Sequence, residues 1–227
     1  MRNIVVIGGS KGIGSAVLLQ QLETNKVYNI SRSAPDLSHP NLTHYGLDIL
    51  QDDLPDIENI DALIYCPGSI NLKPIARLSV DDFRNDFEIN VIGAVKAIQK
   101  YLPALKNGNE PSIVLFSTVA VKLGMPFHAS IATAKAGIEG LVKSLGAELA
   151  SFVRINAIAP TITETSLAAS ILRNDRMKEN MVERHPMKSY LKPDEVAGMV
   201  DFLISEKAKS ISGQIFEMDY GLVTFKM

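Results

Sequence analysis

Cysteine and tryptophan are nearly absent from the sequence, which has one cysteine, Cys66, and no tryptophan. A single cysteine excludes an intrachain disulfide and a zinc cluster built from cysteine ligands. No stretch reaches the ~18 unbroken apolar residues that would span a membrane. The apolar run from Ile4 to Ile7 is too short for the core of a signal peptide. These absences predict a soluble, cytoplasmic protein with no membrane partner and no metal site.

An excess of either charge is also missing. Lys plus Arg number 23 and Asp plus Glu 25, so the formal net charge is −2. That balance gives no support for a nucleic acid as partner. The 227 residues are 46% hydrophobic and 21% charged, close to globular averages. A chain of this length buries roughly 70% of its unfolded surface and needs no disulfides or structural metal ions to fold. We therefore expect a single globular domain over residues 1–227.

Short apolar runs alternate with longer amphipathic stretches along the chain. The runs rich in β-branched residues predict about seven strands: Ile4–Ile7, Lys26–Ile30, Leu42–Leu47, Ala62–Cys66, Ile113–Phe116, Val153–Ile158 and Gly213–Met218. The stretches between them predict helices over Ile13–Leu22, Asp82–Leu105, Ala129–Leu149, Thr163–Met187 and Pro193–Ser205, with Pro103 ending or kinking the second. This alternation predicts an α/β fold of the Rossmann type, a doubly wound parallel sheet with helices on both faces.

A glycine-rich segment, Gly8-Gly9-Ser10-Lys11-Gly12-Ile13-Gly14, joins the first strand to the first helix. Glycines let the backbone turn tightly and approach a pyrophosphate, and the helix N-terminus supplies N–H donors and a favourable dipole. A glycine-rich stretch alone is a weak signal. Its position at the first strand–helix junction of an alternating chain favours a dinucleotide-binding loop.

The spacing Gly-x-x-x-Gly-x-Gly, together with later motifs, resembles the short-chain dehydrogenase/reductase family over essentially the whole chain. Those motifs are Cys66-Pro67-Gly68 at the family's Asn-Ala-Gly, Asn90-Val91-Ile92-Gly93, Ala134-Lys135-Ala136-Gly137, Asn156-Ala157-Ile158-Ala159-Pro160, Gly213-Gln214 and Asp219-Tyr220-Gly221. The resemblance implies that the cofactor is contacted by Gly8, Ser10, Lys11, Gly12, Ile13, Gly14, Ser31, Arg32, Asp48, Ile49, Cys66, Pro67, Gly68, Asn90, Lys135, Pro160, Thr163 and Thr165. It also implies a homodimer or homotetramer.

The second strand lacks the acidic residue that usually holds the ribose 2′-OH of NAD. It ends Asn29-Ile30-Ser31-Arg32-Ser33. Two cations, Lys11 and Arg32, flank the ribose position instead, and a 2′-phosphate would pair with both through charge-assisted hydrogen bonds. The sequence therefore favours NADP(H) over NAD(H).

The family's catalytic set is Asn, Ser, Tyr and Lys, and this sequence departs from it. Lys135 is present, but Ile131 stands four residues earlier, where the family has its tyrosine. Isoleucine cannot donate a proton. The family's serine falls on Thr118, with Ser117 as its neighbour. Strand alternation sends the two to opposite faces, and the register favours Thr118, whose hydroxyl can still donate to a carbonyl.

His128 is the first candidate to replace the tyrosine. It lies seven residues before Lys135, close to two helical turns, so both share a face if the helix already includes His128. Histidine titrates near neutrality and serves as a general acid, although capping or packing is the alternative role. Ser130, Tyr65 and Tyr190 are weaker candidates.

The resemblance leaves Lys135 a second role, bonding the nicotinamide ribose. It gives Asn90 the role of holding a water in a proton relay to that lysine. Residues 163–190 correspond to the family's substrate lid, and their leucines and methionines suit an apolar small-molecule substrate.

Three functions follow as hypotheses. The first is an NADP-dependent oxidoreductase acting on a carbonyl, a hydroxyl or an activated double bond, with Asn90, Thr118, His128 and Lys135 as catalytic residues. The second is an inactive NADP(H)-binding sensor or scaffold. The third is a nonredox lyase or isomerase on the same fold, because a fold does not fix a function.

Overall fold

The computed structural model describes residues 1–225. In this part of the chain seven parallel strands form one sheet in the order β3-β2-β1-β4-β5-β6-β7. The strands are β1 (Asn3–Ile7), β2 (Lys26–Ser31), β3 (Leu42–Gly46), β4 (Ala62–Tyr65), β5 (Ser112–Phe116), β6 (Arg154–Pro160) and β7 (Ile215–Met218). The predicted Rossmann-type doubly wound sheet is confirmed. The strand order reverses between β1 and β4, the switch point where such sheets bind ligands.

Helices cover both faces of this sheet. They are α1 (Gly12–Leu22), α2 (Val80–Phe87), α3 (Gly93–Lys106), α4 (Ala129–Glu148), α5 (Asp175–Arg184) and α6 (Pro193–Ile204). Short 3₁₀ turns lie at Ile75–Arg77, Val119–Val121, Ser166–Ala168 and Glu206–Ala208. No helix among the described residues is long and apolar enough to cross a membrane.

Two apolar cores lie on opposite sides of the sheet, because successive strand residues point to opposite faces. In β1, Val5 and Ile7 join the core beneath α3 and α4, whereas Ile4 and Val6 join the core beneath α1 and α6. The four side chains are fully buried or nearly so. This alternation fixes the register of the strand, since a one-residue slip would exchange the two cores.

The long helix expected over Asp82–Leu105 is three segments. Ser79 caps α2 by accepting a hydrogen bond from the Asp82 amide at 3.1 Å. A π-helical turn, Glu88–Ile92, then separates α2 from α3. Pro103 neither ends nor breaks α3, which continues to Lys106, and the buried Leu105 holds this last turn in the core.

The continuous helix expected over Thr163–Met187 is wrong, since only about half of that segment is helical. Only the 3₁₀ turn Ser166–Ala168 and α5 are helical, and Thr163 instead forms a parallel bridge with Leu191. Asn174 caps α5 by accepting from the Met177 amide at 2.9 Å. Because this cap begins α5 at Asp175, the apolar residues Leu167, Ile171 and Leu172 lie before the helix rather than in it.

Candidate active site

The glycine loop after β1 has the backbone shape that its composition predicts. Gly8 and Gly12 adopt φ of +80° and +56°, a region that side chains disfavour. A methyl group at Gly14 would overlap the Gly8 carbonyl oxygen, so α1 can start against the loop only with glycine there. The amide of Gly9 donates to Asn29 Oδ1 at 3.0 Å, and this asparagine is fully buried. Asn29, which the sequence did not single out, therefore fixes the loop against β2.

A cleft of about 360 Å³ opens between this loop and the ends of β2, β3 and β4. Most of the residues expected to contact the cofactor line it: Gly8, Ser10, Lys11, Gly12, Ile13, Gly14, Ser31, Arg32, Asp48, Ile49, Cys66, Pro67, Gly68 and Thr165. The structure therefore brings together residues spread over more than 150 positions, at the switch point of the sheet.

Two exposed cations, Lys11 and Arg32, lie at this cleft. Within residues 1–225 neither forms an ion pair with a carboxylate. Ser31 also lines the cleft, and its hydroxyl donates to the Ser33 carbonyl at 2.9 Å. This end of the cleft is thus lined by hydroxyls and positive charge.

A second cavity, of about 430 Å³, adjoins the cleft and shares Ile13, Cys66, Gly68, Thr165 and Leu167 with it. Its lining is mostly apolar. The polar residues that line it include the predicted Thr118, His128, Lys135 and Thr163, and Pro160 also contributes. The residues of the glycine-rich cleft and those of the apolar cavity therefore meet at one junction.

Ile131 lies in this lining and is 6% exposed. The same lining contains mainly aliphatic and aromatic side chains, together with polar residues that include His128 and Lys135. The position where the family has a tyrosine therefore presents a hydrocarbon surface to the cavity.

The two neighbouring hydroxyls after β5 have different partners. Ser117 is buried and donates to Glu139 Oε1 at 2.6 Å. Thr118 caps the following 3₁₀ turn, with its Oγ1 accepting from the Ala120 amide at 3.3 Å. Because that contact uses only a lone pair, the Thr118 hydroxyl proton remains available to a ligand.

The Lys135 ammonium is buried with 8% of the residue exposed, and it donates to the Phe116 carbonyl at 2.8 Å. Burial lowers the pKa of Lys135 to about 8, although Cys66 and Asp86 oppose that shift. Burial likewise raises the pKa of the Cys66 thiol to about 12. Lys135 therefore changes its protonation state near pH 8, whereas Cys66 stays a protonated thiol.

Asn90 lies in the π-helical turn, behind the wall of both cavities rather than in it. Its Nδ2 donates to the Asp86 carbonyl at 2.7 Å and to Ser69 Oγ at 3.2 Å. Its Oδ1 is buried and has no hydrogen-bond partner among the described residues. A Cβ at Gly68 would lie 3.4 Å from that oxygen, so Asn90 reaches the site through the glycine.

His128 lines the apolar cavity but does not belong to α4. It occupies the N-cap with φ −98° and ψ 11°, directly after Phe127, whose φ is +70°. The shared helical face with Lys135 was expected only if the helix included His128, and that condition is not met, because α4 begins at Ala129. His128 Nδ1 donates to the Pro126 carbonyl at 2.7 Å. A carbonyl only accepts, so Nδ1 carries the proton and, in the neutral ring, Nε2 carries the free lone pair.

The weaker substitutes for the tyrosine lie elsewhere. Ser130 is buried on the face of α4 that looks towards Phe87 and outside the lining of the apolar cavity. The Tyr65 hydroxyl donates to the Ile89 carbonyl at 2.6 Å, and burial raises its pKa. Tyr190 is half-buried and does not line the cavity.

The segment 163–190 forms one wall of the apolar cavity. Its contributing side chains are Thr163, Thr165, Leu167, Ala168, Ile171, Met181, Arg184 and His185. The Thr165 side chain packs against Gly12, so the segment also reaches the glycine loop.

Sequence reasoning missed a buried pair in this wall, Thr161 and His185. His185 Nδ1 donates to the Met181 carbonyl at 2.6 Å. Its Nε2 then accepts from the Thr161 hydroxyl at 2.8 Å. His185 is 1% exposed. No spaced motif in the sequence links these two residues, which are 24 positions apart.

Comparison with known proteins places this geometry in a family. The profile of a family described as "Enoyl-(Acyl carrier protein) reductase" matches residues 49–223. The chain belongs to the short-chain dehydrogenase/reductase family. It is 26% identical to the 3-oxoacyl-[acyl-carrier-protein] reductase FabG of Staphylococcus aureus over 97% of this chain and 98% of that one. It is 29% identical to the 3-oxoacyl-[acyl-carrier-protein] reductase of Synechocystis, over 97% and 96% of the two chains.

Among solved structures, the short-chain dehydrogenase/reductase chain resembles the ligand-free aldohexose dehydrogenase of Thermoplasma acidophilum. The TM-score is 0.90 with 25% identity, covering 99% of this chain and 95% of the other. The relatives named here are oxidoreductases. In the part of the chain that the structure describes, no group of three or more His, Cys, Asp or Glu side chains could hold a metal ion.

Proposed function

We propose that this chain is an NADP(H)-dependent oxidoreductase that transfers a hydride between the cofactor and an apolar small molecule, at a carbonyl, a hydroxyl or an activated double bond. The observation that carries the proposal is the junction of the two cavities. The glycine-rich cleft and the apolar cavity meet at Cys66, Gly68 and Thr165, beside Lys135. A reaction between a dinucleotide and a second molecule needs this adjacency.

The residues of the cleft fit a dinucleotide. Glycines that tolerate no Cβ surround the start of α1, where N–H groups and the helix dipole favour a pyrophosphate. Lys11 and Arg32 would bind a 2′-phosphate, and Asp48 with Ile49 would contact the adenine. Lys135 and Asn90 would hold the nicotinamide ribose, and the turn Pro160–Thr165 would lie at the nicotinamide. The bound cofactor would supply the hydride.

The chain itself would orient the substrate and deliver the proton. Thr118 Oγ1 would donate to the reacting oxygen and polarise it. His128 Nε2 would hold the proton that this oxygen receives, because Nδ1 is already committed to Pro126. A water relayed by Asn90 and Lys135 is the other route, since Lys135 exchanges its proton near pH 8. Residues 163–190 would act as the lid that keeps bulk water from the reacting groups.

The substrate class follows from the wall of the second cavity. Its volume of about 430 Å³ is that of a small-molecule site, and its lining is mostly aliphatic and aromatic. The named relatives act on 3-oxoacyl groups carried by an acyl carrier protein. An aliphatic 3-oxo compound or an enoyl compound is therefore the first substrate to try.

The experiment follows NADPH absorbance with purified protein and such substrates, for the wild type and for His128→Phe. General acid catalysis contributes at least about a hundredfold, so the variant should lose at least tenfold in turnover, while its NADPH Kd stays unchanged. His39→Phe, outside both cavities, is the matched control and should keep both values. Unchanged turnover in His128→Phe would remove histidine as the donor and leave the lysine relay.

A second candidate function is an inactive NADP(H)-binding sensor or scaffold. The observation in its favour is Ile131, which lines the cavity at the tyrosine position and has no titratable group. This function predicts tight NADPH binding and no NADPH oxidation with any member of the substrate panel.

A further inference from the structure

A buried carboxylate on α2 has no part in the reaction just proposed. Asp86 is 3% exposed and lies four residues before Asn90. Its Oδ1 accepts from Ser69 Oγ at 2.5 Å. Its Oδ2 is buried and has no hydrogen-bond partner among the described residues. A buried carboxylate with one satisfied oxygen is costly unless another charge offsets it.

Ser69 connects this carboxylate to Asn90. The serine hydroxyl donates to Asp86 and accepts from Asn90 Nδ2 at 3.2 Å. The same Nδ2 also donates to the main-chain carbonyl of Asp86 at 2.7 Å. These bonds leave the asparagine one orientation, with Oδ1 turned away from Asp86 and towards Gly68.

At Gly68 the connection meets Lys135. A Cβ on this glycine would lie 3.4 Å from Asn90 Oδ1 and 3.6 Å from Lys135 Nζ. Both atoms therefore border the space that the glycine leaves open. Lys135 Nζ has three N–H groups, and the Phe116 carbonyl accepts one of them.

The other cations near α2 are engaged elsewhere. Lys73 pairs with Asp82 at 3.0 Å, and Arg84 pairs with Asp81 at 2.9 Å. Within residues 1–225, Asp86 has no ion pair within 4.0 Å. The negative charge of Asp86 acts instead on the buried Lys135, where it favours the ammonium form.

We propose that Asp86 is a buried charge partner of Lys135, coupled to it through Ser69 and Asn90, and that it is a positioning residue for the active site. Asp86 holds Ser69 and Asn90 in the orientation that faces Lys135, and its charge keeps the lysine in the ammonium form at neutral pH. In the context of the proposed function, on which this role rests, the ammonium is the form that carries the relayed proton.

Other titratable groups surround Lys135 and are the same in every variant below. Glu139 follows it by one turn on α4 and is bound by Ser117. Cys66 directly follows β4, and His128, Arg184 and His185 also line the apolar cavity. A difference in the Lys135 midpoint between wild type and an Asp86 variant therefore reports the Asp86 charge, because the contribution of these other groups is the same in both proteins.

The experiment measures the proton affinity of Lys135 directly and needs no substrate. Protein labelled with ¹³C at lysine Cε is titrated between pH 6 and pH 11, and the Lys135 signal is assigned by its absence in Lys135→Arg. The wild-type midpoint should lie near pH 8, since burial lowers the pKa of Lys135 to about 8. Asp86→Asn, which keeps the shape and removes the charge, should lower that midpoint by about one unit, the small end of the effect of a nearby opposite charge.

Two further variants serve as a control and as a second test. Asp81→Asn lies on the same helix but is exposed and paired with Arg84, so it should leave the midpoint unchanged. Ser69→Ala keeps the Asp86 charge and removes its hydrogen bond, so it should lower the midpoint by less, and it serves if Asp86→Asn does not fold.

An unmoved midpoint in both Asp86→Asn and Ser69→Ala would overturn the charge pair. Failure of the proposed function looks different, since it would be an absence of NADPH oxidation in the wild type. A shifted midpoint in a protein that oxidises no NADPH would keep the charge pair and refute only the reaction.

Discussion

Replacing Lys135 with methionine should reveal how much stability the buried ammonium costs. Burial lowers the lysine pKa from 10.5 to about 8. At 1.36 kcal/mol for each pKa unit, the charged form costs the folded state about 3 kcal/mol well below pH 8. Between pH 8 and 10.5 the unfolded chain binds more protons than the native chain, so this group makes stability rise with pH there.

The measurement compares the free energy of unfolding of wild type and Lys135→Met in urea at pH 7 and at pH 10. Methionine does not titrate. The difference in unfolding free energy between variant and wild type should therefore change by about 2.5 kcal/mol between pH 7 and pH 10, with the variant relatively more stable at pH 7. The lost hydrogen bond to Phe116 costs the variant about 1 kcal/mol at both pH values and cancels in this comparison. Other titrating groups are common to both proteins and cancel as well.

An equal difference in unfolding free energy at pH 7 and pH 10 would refute the reasoning. It would mean that the lysine is hydrated in the native state and keeps its ordinary pKa. The expected result would show that a stability cost is retained at the site, as occurs where function needs a buried charge.

Three other changes have defined outcomes. Arg32→Ala should weaken NADPH binding about tenfold, a loss of roughly 1.4 kcal/mol, and should leave NADH binding unchanged, as measured by nicotinamide fluorescence. Lys207→Ala, at an exposed position, is the control. An equal loss of affinity for both cofactors would contradict the 2′-phosphate role of Arg32. Gly14→Ala should destabilise the fold by about 1–3 kcal/mol and abolish binding of both cofactors, because the added methyl group would overlap the Gly8 carbonyl oxygen. If the variant still binds either cofactor in a titration, the close approach of Gly14 to Gly8 is refuted. Tyr65→Phe should lower stability by about 1 kcal/mol without changing turnover, and a loss of turnover would show that Tyr65 does more than bond its carbonyl partner.

The parts of the fold that the sequence predicted correctly depend on local patterns. Runs such as Ile4–Ile7 are rich in β-branched residues, and both faces of the sheet are covered, so these runs appear as continuous apolar strands. The glycine loop was predictable because its glycines satisfy local backbone demands, namely positive φ at Gly8 and Gly12. The doubly wound parallel sheet was predictable because strands and helices alternate along the chain.

The errors concern features that depend on tertiary contacts. The π-helical turn around Asn90 lies between α2, which packs against α4, and α3, which packs against β4. The spacing of apolar residues in the sequence does not reveal the one extra residue in such a turn. The position of His128 at the cap rather than in the helix depends on the positive φ of Phe127. A β-branched or aromatic residue gives no warning of that conformation in sequence.

The polar pairs of the site were also beyond sequence reasoning. Thr161 and His185 are 24 positions apart, and Ser69 and Asp86 are 17 apart. Each pair joins two different elements, and neither partner belongs to a spaced motif. Only the packing of these elements around the cavity junction brings the groups within hydrogen-bond distance.

The most direct test of the proposed oxidoreductase is a stoichiometric reaction of the protein with NADPH and a panel of aliphatic 3-oxo and enoyl compounds. Absorbance of the reduced nicotinamide and the mass of the organic product are followed together. The account predicts that NADPH is consumed in equal amount to a product that is two hydrogens heavier, and that His128→Phe slows this at least tenfold. Tight NADPH binding with no oxidation by any compound would contradict it and favour the inactive sensor that Ile131 suggests.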